Sequence, residues 1–244
     1  VSDAYKPEEL LISVIAPMLE GLRHVAVGAS SAIPAAAAML ARSRTDGQLR
    51  VTVLGSSTRH VLTDGGRELF DLAGQGRIDA FFLGGGQIDG EANVNLVGIG
   101  DYPQMKVRFP GSFGSAYLYY VVPRVILFRE EHSARVFVDK VDFISAAGVS
   151  EANIHRPGGP YALVTGRCVM AFDKEQRRFR LTSVHDGESV ESVRENTGFD
   201  FECSNDVPVT PAPDAQSLSL LRGPIAEELA ATYPVFAECV FGGI

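Results

Sequence analysis

Apolar residues recur along the first half of the chain in two alternating rhythms. Leu10, Leu11, Val14, Ile15, Met18 and Leu19 fall at helical spacing behind Lys6-Pro7-Glu8-Glu9. Proline at the first helical position and acids in the first turn suit a helix start. Short, mostly apolar runs follow at 25–28, 51–54 and 78–83, each reading as a strand, with the unbroken run Ala80-Phe81-Phe82-Leu83 having the look of one buried on both faces. Between them lie helical stretches at 33–42, rich in alanine, and at 68–72. Such alternation predicts parallel βαβ units. Farther on, 115–122 fits helix and strand equally, and 124–128 and 141–145 read as strands.

The rhythm changes after the cluster Arg156-Pro157-Gly158-Gly159-Pro160, a loop and candidate subdomain hinge. Residues 161–165, 168–172 and 178–184 then form strands separated by short turns, an antiparallel meander. A short helix at 189–196 and a proline-punctuated tail, with helices near 217–221 and 226–231, complete the chain. The expected class is α/β: an open, mostly parallel sheet with flanking helices plus a C-terminal antiparallel meander. One domain is expected over 1–244, with 1–155 as parallel core and 156–244 as the antiparallel part.

Composition narrows the function. The chain has 244 residues, 45% hydrophobic and 21% charged, enough for a large buried core. A net charge of −8 and a pI near 5.2 argue against nucleic-acid or anionic-membrane partners, which need clustered cations. No apolar run is long enough to cross a bilayer, and no basic segment leads into an apolar one at the start. Cys168, Cys203 and Cys239 are odd in number and widely spaced, which suits neither a disulfide frame nor a zinc site. A reducing cytoplasm is the expected location. Histidines 24, 60, 132, 155 and 185 lack metal-ligand spacing, so structural roles are favoured and no metal is expected.

Candidate chemistry concentrates between Phe81 and Gly114. An apolar strand runs straight into Gly84-Gly85-Gly86, followed by Gln87, Asp89, Asn93 and Asn95, and Gly111-Ser112-Phe113-Gly114 closes the stretch. In open α/β sheets ligands sit beyond the carboxyl ends of strands, and glycine lets the backbone approach them. Asp89 and Glu91 either orient a substrate or, for Asp89, fasten the loop through its own backbone. Residues 111–114 either supply N–H donors to a developing oxyanion or make a tight turn. Ser56, Ser57 and His60 invite a nucleophile–base pairing, but no G-x-S-x-G elbow frames them and a cap after a strand is favoured.

The wording GGGQIDGEANVNLVGIGDY, with RFPGSFGSA after it, resembles the β subunits of class I coenzyme-A transferases of the glutaconate type. Val193-Arg194-Glu195-Asn196-Thr197-Gly198-Phe199-Asp200, Pro157-Gly158-Gly159-Pro160 and Ala171-Phe172-Asp173 follow in matching order, so the resemblance covers nearly the whole chain. It implies a transferase-like sheet and a homologous α partner, in a heterodimer or an (αβ)2 assembly. In transferases a β-chain glutamate after the second strand attacks the acyl-CoA; here that place holds Leu54, which has no lone pair to attack with.

A branch of the family that lacks this glutamate resembles the chain more closely: the β subunit of a bacterial steroid ring-opening CoA hydrolase, whose catalytic carboxylate lies on the α chain. The resemblance then implies a pocket contributed by Leu54, Gly55, Gly85, Gly86, Gln87, Asp89, Gly111, Ser112, Phe113 and Gly114. It implies no catalytic residue on this chain, no metal and no permanently bound cofactor, with coenzyme A as part of the substrate. A transferase whose glutamate lies elsewhere (Glu68 or Glu91) and a non-catalytic scaffold are the alternatives.

Overall fold

The computed structural model describes residues 5–242. In chain order its elements are α1 (Pro7–Ile15), β1 (His24–Val27), α2 (Ala32–Arg44), β2 (Arg50–Val53), α3 (Gly65–Gly74), β3 (Ala80–Leu83), β4 (Gln87–Ile88), β5 (Val94–Asn95), β6 (Gly98–Ile99), β7 (Val107–Arg108) and α4 (Ser115–Val121). Then come β8 (Arg124–Arg129), β9 (Pro160–Thr165), β10 (Cys168–Asp173), β11 (Arg178–Val184), α5 (Val190–Glu195), α6 (Ala215–Leu220), α7 (Ala226–Ala230) and α8 (Pro234–Phe241). The chain divides into two compact units. One takes the chain up to Phe82 together with Pro211 onward, and the other is Leu83–Thr210. The change of rhythm at Arg156 therefore marks a change of strand direction inside the second unit.

In the first unit β1 lies between β2 and β3, parallel to both. All four residues of β1 and of β3 are buried, as their apolar runs predict for all but His24, the polar residue that opens β1. Helix α2 buries Ala35, Ala36, Ala37 and Ala38 completely; four methyl-sized side chains in a row let a helix backbone lie close to its neighbours. Helix α1 opens on Lys6, whose N–H donates to Glu9 Oε2 at 2.8 Å. Its helical spacing extends to Leu19, yet α-helix stops at Ile15 and Ala16–Leu19 is a 3-10 turn. Pro17 lacks the N–H that another α-helical turn requires. Helix α8 is absent from the sequence-based expectation, in which Pro234 only punctuates the tail; here that proline occupies the first turn of a helix.

In the second unit β8 and β9 are parallel, and β9, β10 and β11 form the expected antiparallel meander. The molecule thus has mostly parallel sheet with flanking helices plus antiparallel strands. Residues 115–122, open between helix and strand, form helix α4. Residues 141–145 do not form the expected strand. Their backbone is claimed elsewhere: Asp142 N–H donates to Gln87 Oε1 at 3.0 Å and Ser145 N–H to Val94 O at 3.0 Å, with one bridge at Ala146. Two short hairpins, β4–β5 and β6–β7, carry the glycine-rich stretch. Among the described residues no helix is long and apolar enough to cross a membrane.

Candidate functional site

In the first unit the site candidates lie where β2 ends. Leu54 is half-buried, and its N–H donates to Val27 O at 2.9 Å, so the strand edge holds its backbone. Gly55 turns the chain at φ +80°, a conformation that glycine adopts without strain. Ser56 follows, 3% exposed, and its hydroxyl is fully committed. Its Oγ accepts from Thr58 N–H at 3.2 Å and Arg59 N–H at 3.1 Å, and Thr232 Oγ lies 2.8 Å away. A serine holding its own loop is a cap rather than a nucleophile, and His60 is exposed and absent from its partners. Arg59, on the same loop, pairs with Glu228 of α7. The bonds to Thr232 and Glu228 join residues far apart in sequence, and no local motif announces them.

In the second unit Gln87 and Asp89 sit on and beside β4, 5% and 4% exposed. Asp89 Oδ1 accepts from Glu91 N–H at 3.1 Å and Asn93 N–H at 3.0 Å, while Oδ2 takes the Asn93 side-chain amide at 3.1 Å. Of the two roles open for Asp89, the loop-fastening one accounts for both of its oxygens. Gln87 Oε1 accepts from Asn95 Nδ2 at 2.7 Å as well as from Asp142 N–H. Asn95, with no exposure, ties the next turn through Gly98 O and the Val97 and Gly98 N–H groups.

Gly85 and Gly86 are glycine because nothing larger fits. A Cβ on Gly85 would lie 2.5 Å from Val94 Cγ1, and one on Gly86 would lie 2.3 Å from the Phe109 ring. The Gly86 N–H is already given to Asn95 O at 2.9 Å, so it is not available to an oxyanion.

The second glycine cluster is built differently. Gly111, Phe113 and Gly114 take φ of +108°, +37° and +68°, and Ser112 O accepts from Ser115 N–H at 2.8 Å. Left-handed φ at a phenylalanine carries strain that glycine would not. Phe113 is nonetheless 75% exposed, presenting an aromatic face on a strained turn.

The transferase alternatives for a glutamate do not lie at a strand end. Glu68, in the first turn of α3, accepts from the N–H groups of Thr63 and Asp64 and from the Thr63 hydroxyl. Those hydrogen bonds hold its carboxyl below the usual range. Glu91 is exposed at the β4–β5 loop. Among the described residues no three His, Cys, Asp or Glu side chains gather as metal ligands.

The parallel strands, the committed β2 loop and the glycine hairpins accompany a sequence match to the coenzyme A transferase family model over residues 37–196, and the chain belongs to that family. It is 39% identical over 162 residues to the second of the two subunits of 3-oxoadipate CoA-transferase from Pseudomonas knackmussii, covering 64% of this chain and 62% of that one. To the corresponding subunit of glutaconate CoA-transferase from Acidaminococcus fermentans it is 35% identical, over 58% of this chain and 54% of the relative. To the cholesterol ring-cleaving hydrolase IpdB subunit of Rhodococcus jostii it is 29% identical, over 64% and 62%. The matched region thus spans less than two thirds of each relative's length. The crystal structure of Rhodococcus jostii RHA1 IpdAB has the same fold, with a TM-score of 0.80 at 24% identity over 90% of this chain and 94% of that one.

Proposed function

We propose that this chain is the β subunit of a two-subunit, cytoplasmic enzyme acting on an acyl-CoA. The reaction proposed is hydrolytic opening of a carbon–carbon ring bond in a cyclic keto acyl-CoA, with the catalytic carboxylate on the partner α subunit. What supports the reading is Leu54 after β2, which the sequence resemblance sets at the place of the family's covalent glutamate, beside a serine whose hydroxyl is spent on its own loop.

The chemistry fits that loss. A cyclic β-keto thioester presents its electrophilic ketone away from the thioester carbonyl, so a protein nucleophile aimed at the thioester is unnecessary. The reaction needs an activated water near the ketone and donors for the anion that develops. This chain's contribution is walls, described for each unit by itself: in the first, Leu54 and Gly55 after β2, with apolar surface from Leu54; in the second, the backbone of Gly85 and Gly86 beside Gln87 and Asp89 and the Gly111-Ser112-Phe113-Gly114 turn, with the exposed Phe113 ring.

Transferase activity is the second reading. It is favoured by the higher identity to the two transferase subunits, 39% and 35%, than to the hydrolase subunit, 29%. The two separate in one experiment. The chain is co-produced with a homologous α subunit and incubated with an acyl-CoA and isotopically labelled acetate. Label appearing in a CoA ester favours the transferase; a ring-opened product carrying oxygen from labelled water, with no labelled ester, favours the hydrolase.

A further inference from the structure

His132 is buried, and both of its ring nitrogens face threonine hydroxyls. Nδ1 lies 2.8 Å from Thr165 Oγ1, at the end of β9, and Nε2 lies 2.9 Å from Thr197 Oγ1, just past α5. The two threonines fix where the ring proton sits. Thr197 gives its hydroxyl hydrogen to Val193 O at 2.7 Å, so it accepts from Nε2–H. Thr165 Oγ1 accepts the N–H groups of Arg167 and Cys168, each at 3.1 Å, which uses both of its lone pairs and leaves it a donor to Nδ1. A second ring proton, on Nδ1, would therefore meet a hydroxyl with no acceptor left. Cys168 Sγ, 3.8 Å away, is a weak acceptor.

The surroundings disfavour that proton as well. Arg167, on the β9–β10 turn, reaches His132 O through Nε at 3.4 Å and pairs with Glu188, beyond β11, at 2.6 Å. Helix α5 contributes the Ser192 hydroxyl to this pair. His185, just after β11, is buried and donates to the carbonyl of the same Thr165 at 2.9 Å. Cys168, which opens β10, is a thiol that burial keeps protonated. On the segment of His132 itself, Glu131 is taken by Arg129 and Arg135. Burial first, then the charge of Arg167, lowers the pKa of His132; Glu188 opposes this and His185 adds to it.

What His132 holds reaches the glycine-rich hairpin. Its segment continues through a turn in which Ser133 O accepts the N–H groups of Val136 and Phe137 at 2.9 Å. Residues 136–138 then lie beside β4: Ile88 N–H donates to Val136 O at 2.8 Å, and Val138 N–H donates to Ile88 O at 3.0 Å. Phe137 is fully buried, with its ring 4.6 Å from that of His132, and its carbonyl accepts Gly198 N–H at 2.7 Å. Thr197 and Gly198 are consecutive, so this second grip on the segment also runs through the His132 ring. We infer that His132 is a positioning residue for β4, and that only its neutral ring fastens the 133–138 segment between Thr165 and Thr197. In acid the Nδ1 bond is lost, the segment loosens, and β4 with Gln87 loosens with it. The inference rests on the acyl-CoA reading only for what the hairpin serves; the coupling itself lies within the second unit.

The test is a two-dimensional NMR titration of the intact chain from about pH 7 down to about pH 3.5, a range that spans a lowered histidine pKa. The amide resonances of Ile88, Val138 and Gly198 should move with one midpoint, and it should be that of the His132 ring. His132→Gln can accept from Thr165 and donate to Thr197 without titrating, so in that variant the three amides should stay fixed. His132→Ala makes neither bond, and its Ile88 and Val138 amides should exchange at least about 10-fold faster at pH 7. Movement of these amides with another midpoint, or in a folded His132→Gln variant, overturns the proposal. Unchanged exchange in a folded His132→Ala variant does so too, as does one unfolding step that removes all amides together with no earlier change at β4. No acyl-CoA enters the test, so its outcome is independent of the proposed activity.

Discussion

Three histidines are buried, and each keeps its ring neutral for a legible reason. His24 Nδ1 faces Arg77 O at 3.1 Å and His185 Nε2 faces Thr165 O at 2.9 Å, so those nitrogens carry the proton. For His132 the proton lies on Nε2, because its partner Thr197 gives its own hydroxyl hydrogen to Val193 O at 2.7 Å. Nδ1 then accepts from Thr165 Oγ1 at 2.8 Å. Burial first, then the charge of Arg167, pushes His132 down to about 4; burial lowers His24 and His185 as well. A group whose folded pKa is depressed below about 6.5 takes a proton more readily in the unfolded chain. Its stabilisation is therefore complete above about pH 6.5 and is lost as pH falls toward 4. Chemical denaturation should show stability lower at pH 5 than at pH 7, with His132 alone contributing about 2 kcal/mol. A His132→Gln variant should flatten that slope; an unchanged slope would remove His132 as its source. At Leu54 the expectation concerns chemistry. Incubation of the assembled enzyme with its acyl-CoA, followed by hydroxylamine, should leave no modified carboxyl on this chain by mass spectrometry, whereas a modified glutamate would establish a covalent route.

At the scale of elements, hairpins of two-residue strands persist because side chains finish what the ladder cannot. Asp89 is the clearest case, holding the β4–β5 loop with both oxygens. Asp89→Ala is expected to cost about 2–3 kcal/mol, leaving buried N–H groups without acceptors. Hydrogen exchange should localise the loss to the amides of Glu91 and Asn93. The β6–β7 hairpin depends instead on close approach: a Cβ on Gly98 would meet Val107 O at 2.2 Å. Gly98→Ala should separate the two strands, at about 2 kcal/mol or more, read as a lower thermal midpoint. The first of these features was half-visible in the sequence, since an acid beside glycine is an ordinary loop fastener. The second was visible only as glycine; the carbonyl that forbids a side chain comes from a strand whose register no local pattern sets.

For the molecule as a whole, the proposed pairing with an α subunit is the consequence that matters most. The isolated chain should show no turnover of an acyl-CoA and should co-elute with its α partner. Appreciable turnover without a partner would overturn the shared site. Periodicity alone determined the order and type of the longer elements, β1 to β3, β8 to β11 and most helices, but not the two-residue strands β4 to β7, helix α4 or helix α8. Helical spacing and unbroken apolar runs report burial, and burial is a property of each segment taken locally. The wording of the glycine stretch also carried the family. Tertiary structure decided who satisfies whom. The backbone of residues 141–145 serves Gln87 and Val94 instead of a ladder, Ser56 caps its loop with help from Thr232, and Arg156 meets only neutral oxygens and aromatic rings. A buried polar group takes whichever partner the fold brings within about 3 Å, and residues that meet across long stretches of chain leave no mark on local spacing.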